Sequence, residues 1–397
     1  MNPRLDLLQP YPFEKLRQLF AGVMPPADLR PVSLGLGEPQ HPTPAFIKQV
    51  MTDNLAGLAK YPATAGEPHL RNAIAQWLMR RYRLPEVDAA TEVLPVNGSR
   101  EALFSLTQTV IDASRLSATV VCPNPFYQIY EGAALLAGAQ ARFAPAVPER
   151  NFASDLGALP AKVWRETQML IVCSPGNPTG AVMNLEDWRC VFTLADRHGF
   201  VIASDECYSE IYFDEASPPL GGLEAAAALG RDFRRLIVFS SLSKRSSVPG
   251  MRSGFVAGDA AILRKFLLYR TYHGSAMGLA VQAASAAAWN DEAHVLENRR
   301  LYREKFDAVL PLVQPYLGVR LPDAGFYLWA RVPDGDDVRF ARDLYTSQAV
   351  TVLPGSYMAR EDAGRNPGAG YVRMALVAAT AECVEAAQRI ARFCSNG

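Results

Sequence analysis

Short apolar runs alternate with amphipathic segments over the first two thirds of the chain. The runs, rich in valine and isoleucine, lie at 120–122, 169–173, 200–204 and 236–240. Runs of this length without polar alternation are typical of parallel strands that are buried on both faces. Segments with helical periodicity, such as 184–199, separate them. The alternation predicts an α/β fold in which helices flank a mostly parallel sheet.

The pattern changes after residue 285. A long charged helical segment leads to the strand-like pieces GFYLWARV, VTVLPGS and YVRMAL, which alternate less regularly with helices. This less regular alternation of strands and helices predicts a second, smaller α+β domain. We expect an N-terminal segment (1–45) that associates with the small domain, a large domain (46–285) and the small domain (286–397).

Composition excludes several classes of partner. The 397 residues include 40 basic and 40 acidic ones, so no net charge recruits nucleic acid or an anionic membrane. The five histidines form no H-E-x-x-H motif and the six cysteines no C-x-x-C pair, so we expect no metal site. The N-terminus, MNPRLDLLQPYPFEKL, lacks the apolar core of a signal peptide, so we expect a cytoplasmic protein.

Reactive and polar side chains follow the predicted strands. In open parallel sheets, ligands bind beyond the carboxyl ends of the strands. The residues found there are Tyr127, Asn177, Asp205, Tyr208, Ser241, Ser243 and Lys244. In addition, Ser99 and Arg100 open a predicted helix, whose free backbone N–H groups attract anions, and Arg252 follows the lysine by eight residues.

Together these side chains match the needs of pyridoxal phosphate (PLP). A desolvated lysine such as Lys244 forms a Schiff base with an aldehyde. The PLP ring nitrogen needs a carboxylate, here Asp205, and its ring face an aromatic residue, here Tyr127. The ring oxygen and phosphate would be bound by Asn177, Tyr208, Ser99, Ser241 and Arg252. Each residue alone has a structural explanation, since Asp205 could cap a helix and Lys244 could be a surface amine.

The ordered motifs of the chain resemble the fold-type I, PLP-dependent aminotransferases of class I/II. They are LGLGEP (34–39), YPATAGEPHLR (61–71), NGSREAL (97–103), PNPFYQIY (123–130), SPGNPTG (174–180), SDECY (204–208), SLSKRSSVPGMRSG (241–254) and YVRMAL (371–376). The resemblance covers nearly the whole chain. It implies a seven-stranded, mostly parallel sheet in the large domain.

The resemblance also implies a role for each site residue. Lys244 would form the Schiff base and carry a proton, Asp205 would bind the pyridine nitrogen, and Tyr208 would help to bind the ring oxygen. The phosphate would be bound by Ser99, Arg100 (through its backbone N–H), Ser241, Ser243 and Arg252.

Further residues have implied roles outside the ring. Gly37 and Arg373 would bind the substrate α-carboxylate, the arginine through a bidentate contact. Asn177 would donate to the ring oxygen and also contribute to substrate binding. Tyr61 would reach the phosphate of a neighbouring subunit, which implies a homodimer with shared sites.

The lysine motif, with FLLYRTYHGSAM further on, is most similar to N-succinyldiaminopimelate aminotransferases. The implied reaction is ping-pong exchange of the amino group of glutamate with N-succinyl-2-amino-6-oxopimelate, in lysine biosynthesis. Alternatives are an aspartate or aromatic aminotransferase, a C–S β-lyase, and a regulator that binds PLP without turnover. We hypothesise that Arg270 binds the distal carboxylate of the succinyl group. The alternative is that Arg270 donates hydrogen bonds to carbonyls at a helix end.

Overall fold

The computed structural model describes residues 1–362 and 364–395. The β-strands are β1 (Val32–Ser33), β2 (Val93–Val96), β3 (Thr119–Asn124), β4 (Gln140–Pro145), β5 (Thr167–Cys173), β6 (Val201–Asp205), β7 (Leu236–Ser241), β8 (Gly254–Gly258), β9 (Tyr327–Arg331), β10 (Val350–Thr351), β11 (Leu353–Pro354) and β12 (Tyr371–Ala375). The α-helices are α1 (Pro12–Leu19), α2 (Ala45–Asp53), α3 (Pro68–Tyr82), α4 (Ser99–Val110), α5 (Ile129–Ala137), α6 (Ala161–Glu166), α7 (Leu185–His198), α8 (Gly222–Ala228), α9 (Leu242–Arg245), α10 (Ala260–His273), α11 (Leu279–Asn290), α12 (Ala293–Val313), α13 (Asp337–Gln348) and α14 (Thr380–Ser395).

A seven-stranded sheet forms the centre of the larger part of the molecule. Its strand order is β2-β8-β7-β6-β5-β3-β4. Strands β3 to β7 are parallel, whereas β8 runs antiparallel to both β7 and β2. The predicted α/β fold with a mostly parallel seven-stranded sheet is therefore confirmed.

Two apolar layers cover the two faces of this sheet. Successive side chains of a strand point to opposite faces. In β5, Leu170 packs into the layer formed with α3, α7, α8 and α11, while Ile171 packs into the layer formed with α4 and α10. Both faces exclude water, which explains why the strands read as continuous apolar runs instead of alternating ones.

The C-terminal part of the chain has its own sheet and core. Strands β11, β12 and β9 form an antiparallel sheet, and β1 pairs in parallel with β10. Side chains of α12, α13 and α14 pack on these strands. The N-terminal segment thus contacts the C-terminal part through β1, while the domain boundaries at 45 and 285 stay a prediction.

No helix of the described ranges combines the length and the apolar composition of a membrane span.

Candidate active site

A cavity of about 760 Å³ opens at the carboxyl edge of the seven-stranded sheet. Twelve of the predicted site residues line it: Gly37, Ser99, Arg100, Tyr127, Asn177, Asp205, Tyr208, Ser241, Ser243, Lys244, Arg252 and Arg373. Most follow the strand ends of the large sheet, but Arg373 comes from β12 of the small one. The cavity therefore lies between the two sheets.

Lys244 sits on the short helix α9, directly after strand β7. The hydroxyl of Ser241 caps this helix by accepting the N–H of Ser243 at 3.1 Å. The amine of Lys244 donates to the carbonyl oxygen of Gly37 at 2.9 Å. Burial lowers the pKa of Lys244 to about 8, and the positive charge of Arg373 acts in the same direction. A neutral, nucleophilic amine is therefore accessible close to neutral pH.

Asp205 ends strand β6 and is buried at the cavity wall. Its Oδ2 accepts the hydroxyl of Tyr130 at 2.7 Å, and its Oδ1 accepts the backbone N–H of Cys207 at 3.3 Å. Burial raises the pKa of Asp205, whereas these two hydrogen bonds oppose the rise. The two bonds stabilise the carboxylate in a place where a protonated ring nitrogen can pair with it.

Arg373 is buried at the cavity wall, and no acid pairs with it in the described residues. One terminal nitrogen donates to the side-chain oxygen of Asn177 at 3.0 Å, and the other to the carbonyl of Gly35 at 2.8 Å. Its Nε has no hydrogen-bond partner, and it forms no salt bridge within the described residues. A buried guanidinium without an acid fits an anionic ligand, such as a carboxylate.

Two phenols lie beside this arginine. The hydroxyls of Tyr208 and Tyr327 are 2.9 Å apart, and the ring centroid of Tyr327 is 4.4 Å from the guanidinium carbon of Arg373. Burial raises the pKa of Tyr208 well above its ordinary value. Tyr208 therefore stays a neutral donor, as an oxygen of a bound ring would require.

A group of hydrogen-bond donors that could bind a phosphate lies at the N-terminus of helix α4. Gly98, with φ +85°, precedes this helix, and a Cβ there would overlap a terminal nitrogen of Arg252. Only glycine permits this approach. Arg252 donates to the hydroxyl of Ser243 at 3.4 Å and forms no salt bridge in the described part of the chain. Free N–H groups, hydroxyls and an unpaired cation suit a dianion.

The donor set fits PLP. The cavity contains a free amine for the aldehyde, a carboxylate for the ring nitrogen, and an unpaired arginine for the phosphate: Lys244, Asp205 and Arg252. A second unpaired arginine, Arg373, remains for the substrate.

Two predicted site residues do not line the cavity. Arg270 is completely buried, and one of its terminal nitrogens donates to both carboxylate oxygens of Glu101 at 2.6 Å. The other terminal nitrogen donates to the carbonyl of Ser275 at 3.1 Å. A guanidinium with no exposed surface and these partners cannot contact a ligand in this arrangement, so the geometry does not favour the proposed contact with a distal carboxylate. Tyr61 is fully exposed, and its assigned contact with a second subunit stays a prediction.

The structure adds residues that the sequence patterns did not single out. Tyr130 bonds to Asp205, and Tyr327 lies between Tyr208 and Arg373. His273, which the sequence left without a role, lines the cavity. The pattern PNPFYQIY did contain a usable signal, because Tyr130 follows Tyr127 by three residues, in the first turn of helix α5.

Comparisons with known proteins agree with this geometry. The family described as "Aminotransferase class I and II" matches residues 30–390. An LL-diaminopimelate aminotransferase of Desulforudis audaxviator is 34% identical over 393 residues, which cover 98% of this chain and 96% of the relative.

Solved structures give the same result. An aminotransferase of Neisseria meningitidis is 55% identical with a TM-score of 0.97, covering 99% of this chain and 100% of the other. A protein of Thermus thermophilus, described as "probable N-succinyldiaminopimelate aminotransferase", is 26% identical with a TM-score of 0.82, covering 95% and 96%. The chain belongs to the class I and II aminotransferases, a family of enzymes that depend on PLP.

Proposed function

We propose that the protein transfers an amino group between glutamate and N-succinyl-2-amino-6-oxopimelate, with Lys244 as the covalent attachment point of PLP. The observation that carries the proposal is the half-buried amine of Lys244, whose pKa is lowered to about 8, in a cavity lined by arginines that form no salt bridge in the described residues. The amine supplies the nucleophile, and the arginines supply sites for a phosphate and a carboxylate.

PLP supplies an aldehyde that condenses with amines and a ring that withdraws electrons from the substrate Cα. The residues of this chain position the reactants and move protons. Asp205 would accept the N–H of the ring nitrogen, and its hydrogen bonds from Tyr130 and Cys207 favour its anionic form against the effect of burial. Tyr208 and Asn177 would donate to the ring oxygen. Together with Asp205 they would hold the ring in place as an electron acceptor.

The substrate is held by its α-carboxylate. Arg373 offers its terminal nitrogens and its unpartnered Nε, while Asn177 and Gly37 border the same space. The Nζ of Lys244, which lies at the cavity wall beside the Gly37 carbonyl, would be the base that takes the proton from the substrate Cα. The same site then serves the second substrate, so the kinetics are ping-pong.

The candidate substrates differ in the group at the end of the side chain, far from the reacting amine, and this group decides between them. Three arginines line the cavity, and Arg252 and Arg373 already have assignments. The remaining one, Arg100, forms no salt bridge within the described residues, and its Nε donates to the hydroxyl of Tyr127. The succinyl group ends in a carboxylate far from the reacting amine. Arg100 therefore replaces Arg270 as the cation that we assign to this carboxylate.

LL-Diaminopimelate is the second candidate substrate. It is the substrate named for the relative that is 34% identical over almost the whole chain. Its distal end carries an ammonium as well as a carboxylate, and Glu38 is an acid that lines the cavity. Aspartate and aromatic amino acids, and C–S bond cleavage, remain as further alternatives on the same scaffold.

The test uses purified protein loaded with PLP and 2-oxoglutarate as the amino acceptor. Glutamate formation is measured with N-succinyl-LL-diaminopimelate, LL-diaminopimelate, aspartate and phenylalanine as donors. The proposal predicts the highest kcat/KM for the succinylated compound. A higher value for LL-diaminopimelate would select the second candidate, and release of pyruvate and ammonia from cystathionine would indicate a lyase.

We also propose a homodimer. Tyr61 is fully exposed, and Leu58 and Tyr272 nearly so, although large apolar side chains usually avoid water. Sedimentation should give twice the mass of one chain, and Tyr61→Ala should weaken PLP binding. A monomer with full PLP affinity would contradict this part of the proposal.

A further inference from the structure

A largely buried hydrogen-bonded network contacts the backbone of Lys244, and its side chains do not line the cavity. It consists of His41, Asn298 and Lys305, and we call it the His41 network. The ammonium of Lys305 is 2.7 Å from Nε2 of His41, and Nδ1 of His41 is 2.7 Å from the side-chain oxygen of Asn298. The Asn298 amide donates to the carbonyls of Lys244 at 3.1 Å and Arg245 at 3.2 Å.

The chemistry of the donors fixes the direction of every bond in the network. An ammonium only donates, so Nε2 of His41 accepts and Nδ1 carries the proton. That proton is donated to the oxygen of Asn298, which turns the amide nitrogen towards the two carbonyls. Burial lowers the pKa of His41, so the neutral ring that this direction requires is the favoured form.

The network supplies hydrogen-bond donors for the C-terminal carbonyls of helix α9. A four-residue helix leaves its C-terminal carbonyls without intrahelical partners. Asn298 provides donors for two of them, at Lys244 and at the following residue. The N-terminus of the same helix is capped by Ser241. Both ends of the segment that carries the lysine are therefore held by side chains.

The network also connects separate parts of the chain. Asn298 and Lys305 belong to helix α12, and Lys305 also donates to the carbonyl of Val377 at 3.2 Å, just beyond β12. His41 follows Gly37 by four residues, and the Gly37 carbonyl accepts the amine of Lys244. The loop that contacts the amine thus also orients the amide that holds the lysine backbone.

The burial of the charged Lys305 side chain is energetically unfavourable. It is 2% exposed, and no carboxylate lies within salt-bridge distance of it in the described residues. Burial lowers its pKa to about 8. A buried ammonium that is bound only by neutral acceptors contributes little to the stability of the fold. We therefore take the effect of Lys305 to be that it fixes the orientation of the His41 ring.

We propose that the His41 network positions the backbone of Lys244, so that His41, Asn298 and Lys305 are positioning residues for the amine that binds PLP. The inference rests on the proposed function of Lys244. Loss of the network leaves two buried carbonyls unpaired and frees the C-terminus of α9. The amine then samples positions away from the Gly37 carbonyl and from Arg373.

The test compares four variants of the PLP-loaded protein. His41→Leu and Asn298→Leu break the network, whereas His41→Gln retains one acceptor and one donor. Val309→Ala is the control, because Val309 is buried on the same helix α12 but packs into the core of the C-terminal part. It removes apolar packing without removing a hydrogen bond of the network.

The main measurement is the pH titration of the visible absorption band of PLP bound to the lysine. We expect the two breaking variants to shift the midpoint by at least about half a pH unit. His41→Gln and Val309→Ala should titrate like the unmodified protein. Hydrogen exchange of residues 242–246 should accelerate in the breaking variants alone.

Two results would overturn the inference. If His41→Leu lowers the melting temperature as Val309→Ala does but leaves the midpoint and the exchange unchanged, the network only stabilises the fold. If the unmodified protein shows no visible band with PLP, the proposed function fails and the inference fails with it. Should Asn298→Leu not fold, the two His41 variants suffice for the test.

Discussion

The hydroxyl of Tyr130 donates a 2.7 Å hydrogen bond to Oδ2 of Asp205, and both side chains are buried. The bond stabilises the carboxylate that we assign to the ring nitrogen of PLP. Tyr130→Phe should therefore weaken PLP binding roughly 10-fold or more, as expected for a lost hydrogen bond to a buried charge. The dissociation constant can be measured by titrating PLP into the cofactor-free protein.

Tyr82→Phe is the matched control for this substitution. Tyr82 is also buried and donates to a buried carboxylate, that of Glu206, at 2.9 Å, but it does not line the cavity. Its loss should lower stability and leave PLP affinity unchanged. Equal losses of affinity in both variants would mean that Tyr130 acts only through general stability.

Arg270→Ala should destabilise the fold without changing substrate preference. The substitution leaves Glu101, whose side chain is 21% exposed, without its ion-pair partner, which should cost about 2 kcal/mol. Urea denaturation measures the loss. The ratio of kcat/KM for N-succinyl-LL-diaminopimelate to that for 2-aminohexanoate should stay constant. A fall in kcat/KM for the succinylated substrate alone would mean that Arg270 does bind the distal carboxylate.

Arg100→Ala should produce the selective effect instead. Its guanidinium lines the cavity without an acidic partner, so its removal should lower kcat/KM for the succinylated substrate roughly 10-fold. The value for 2-aminohexanoate, which has no distal charge, should hardly change. Arg100→Lys keeps the charge and should recover part of the loss, and a uniform loss for both substrates would contradict the assignment.

The reaction of the cofactor-free protein with PLP should depend on pH through Lys244. Because the pKa of Lys244 is lowered to about 8, the fraction of neutral amine rises as pH increases through this value and is nearly complete well above it. The rate of appearance of the visible band should follow the same curve. Arg373→Gln removes a nearby positive charge and should move the midpoint to higher pH; a midpoint near the ordinary lysine value in the unmodified protein would contradict the lowered pKa.

The large sheet and most of the cavity lining could be predicted from the sequence because those signals are local. An apolar run followed by Asp205 or Lys244 indicates both a strand and the chemistry at its end. Tyr327 carried no such signal, since it reaches Tyr208 only because β9 packs against the segment that follows β6. For Arg270 the sequence specifies a charge but no partner, and its bond to Glu101 depends on how α10 packs on α4.

The most direct test of the central claim is a comparison of the unmodified protein with Lys244→Ala after both have been incubated with PLP. The unmodified protein should show a visible band that borohydride fixes covalently to the peptide containing Lys244. The band should disappear when N-succinyl-LL-diaminopimelate is added, while Lys244→Ala should bind PLP without covalent fixation. Covalent fixation at another lysine, or none in the unmodified protein, would contradict the account.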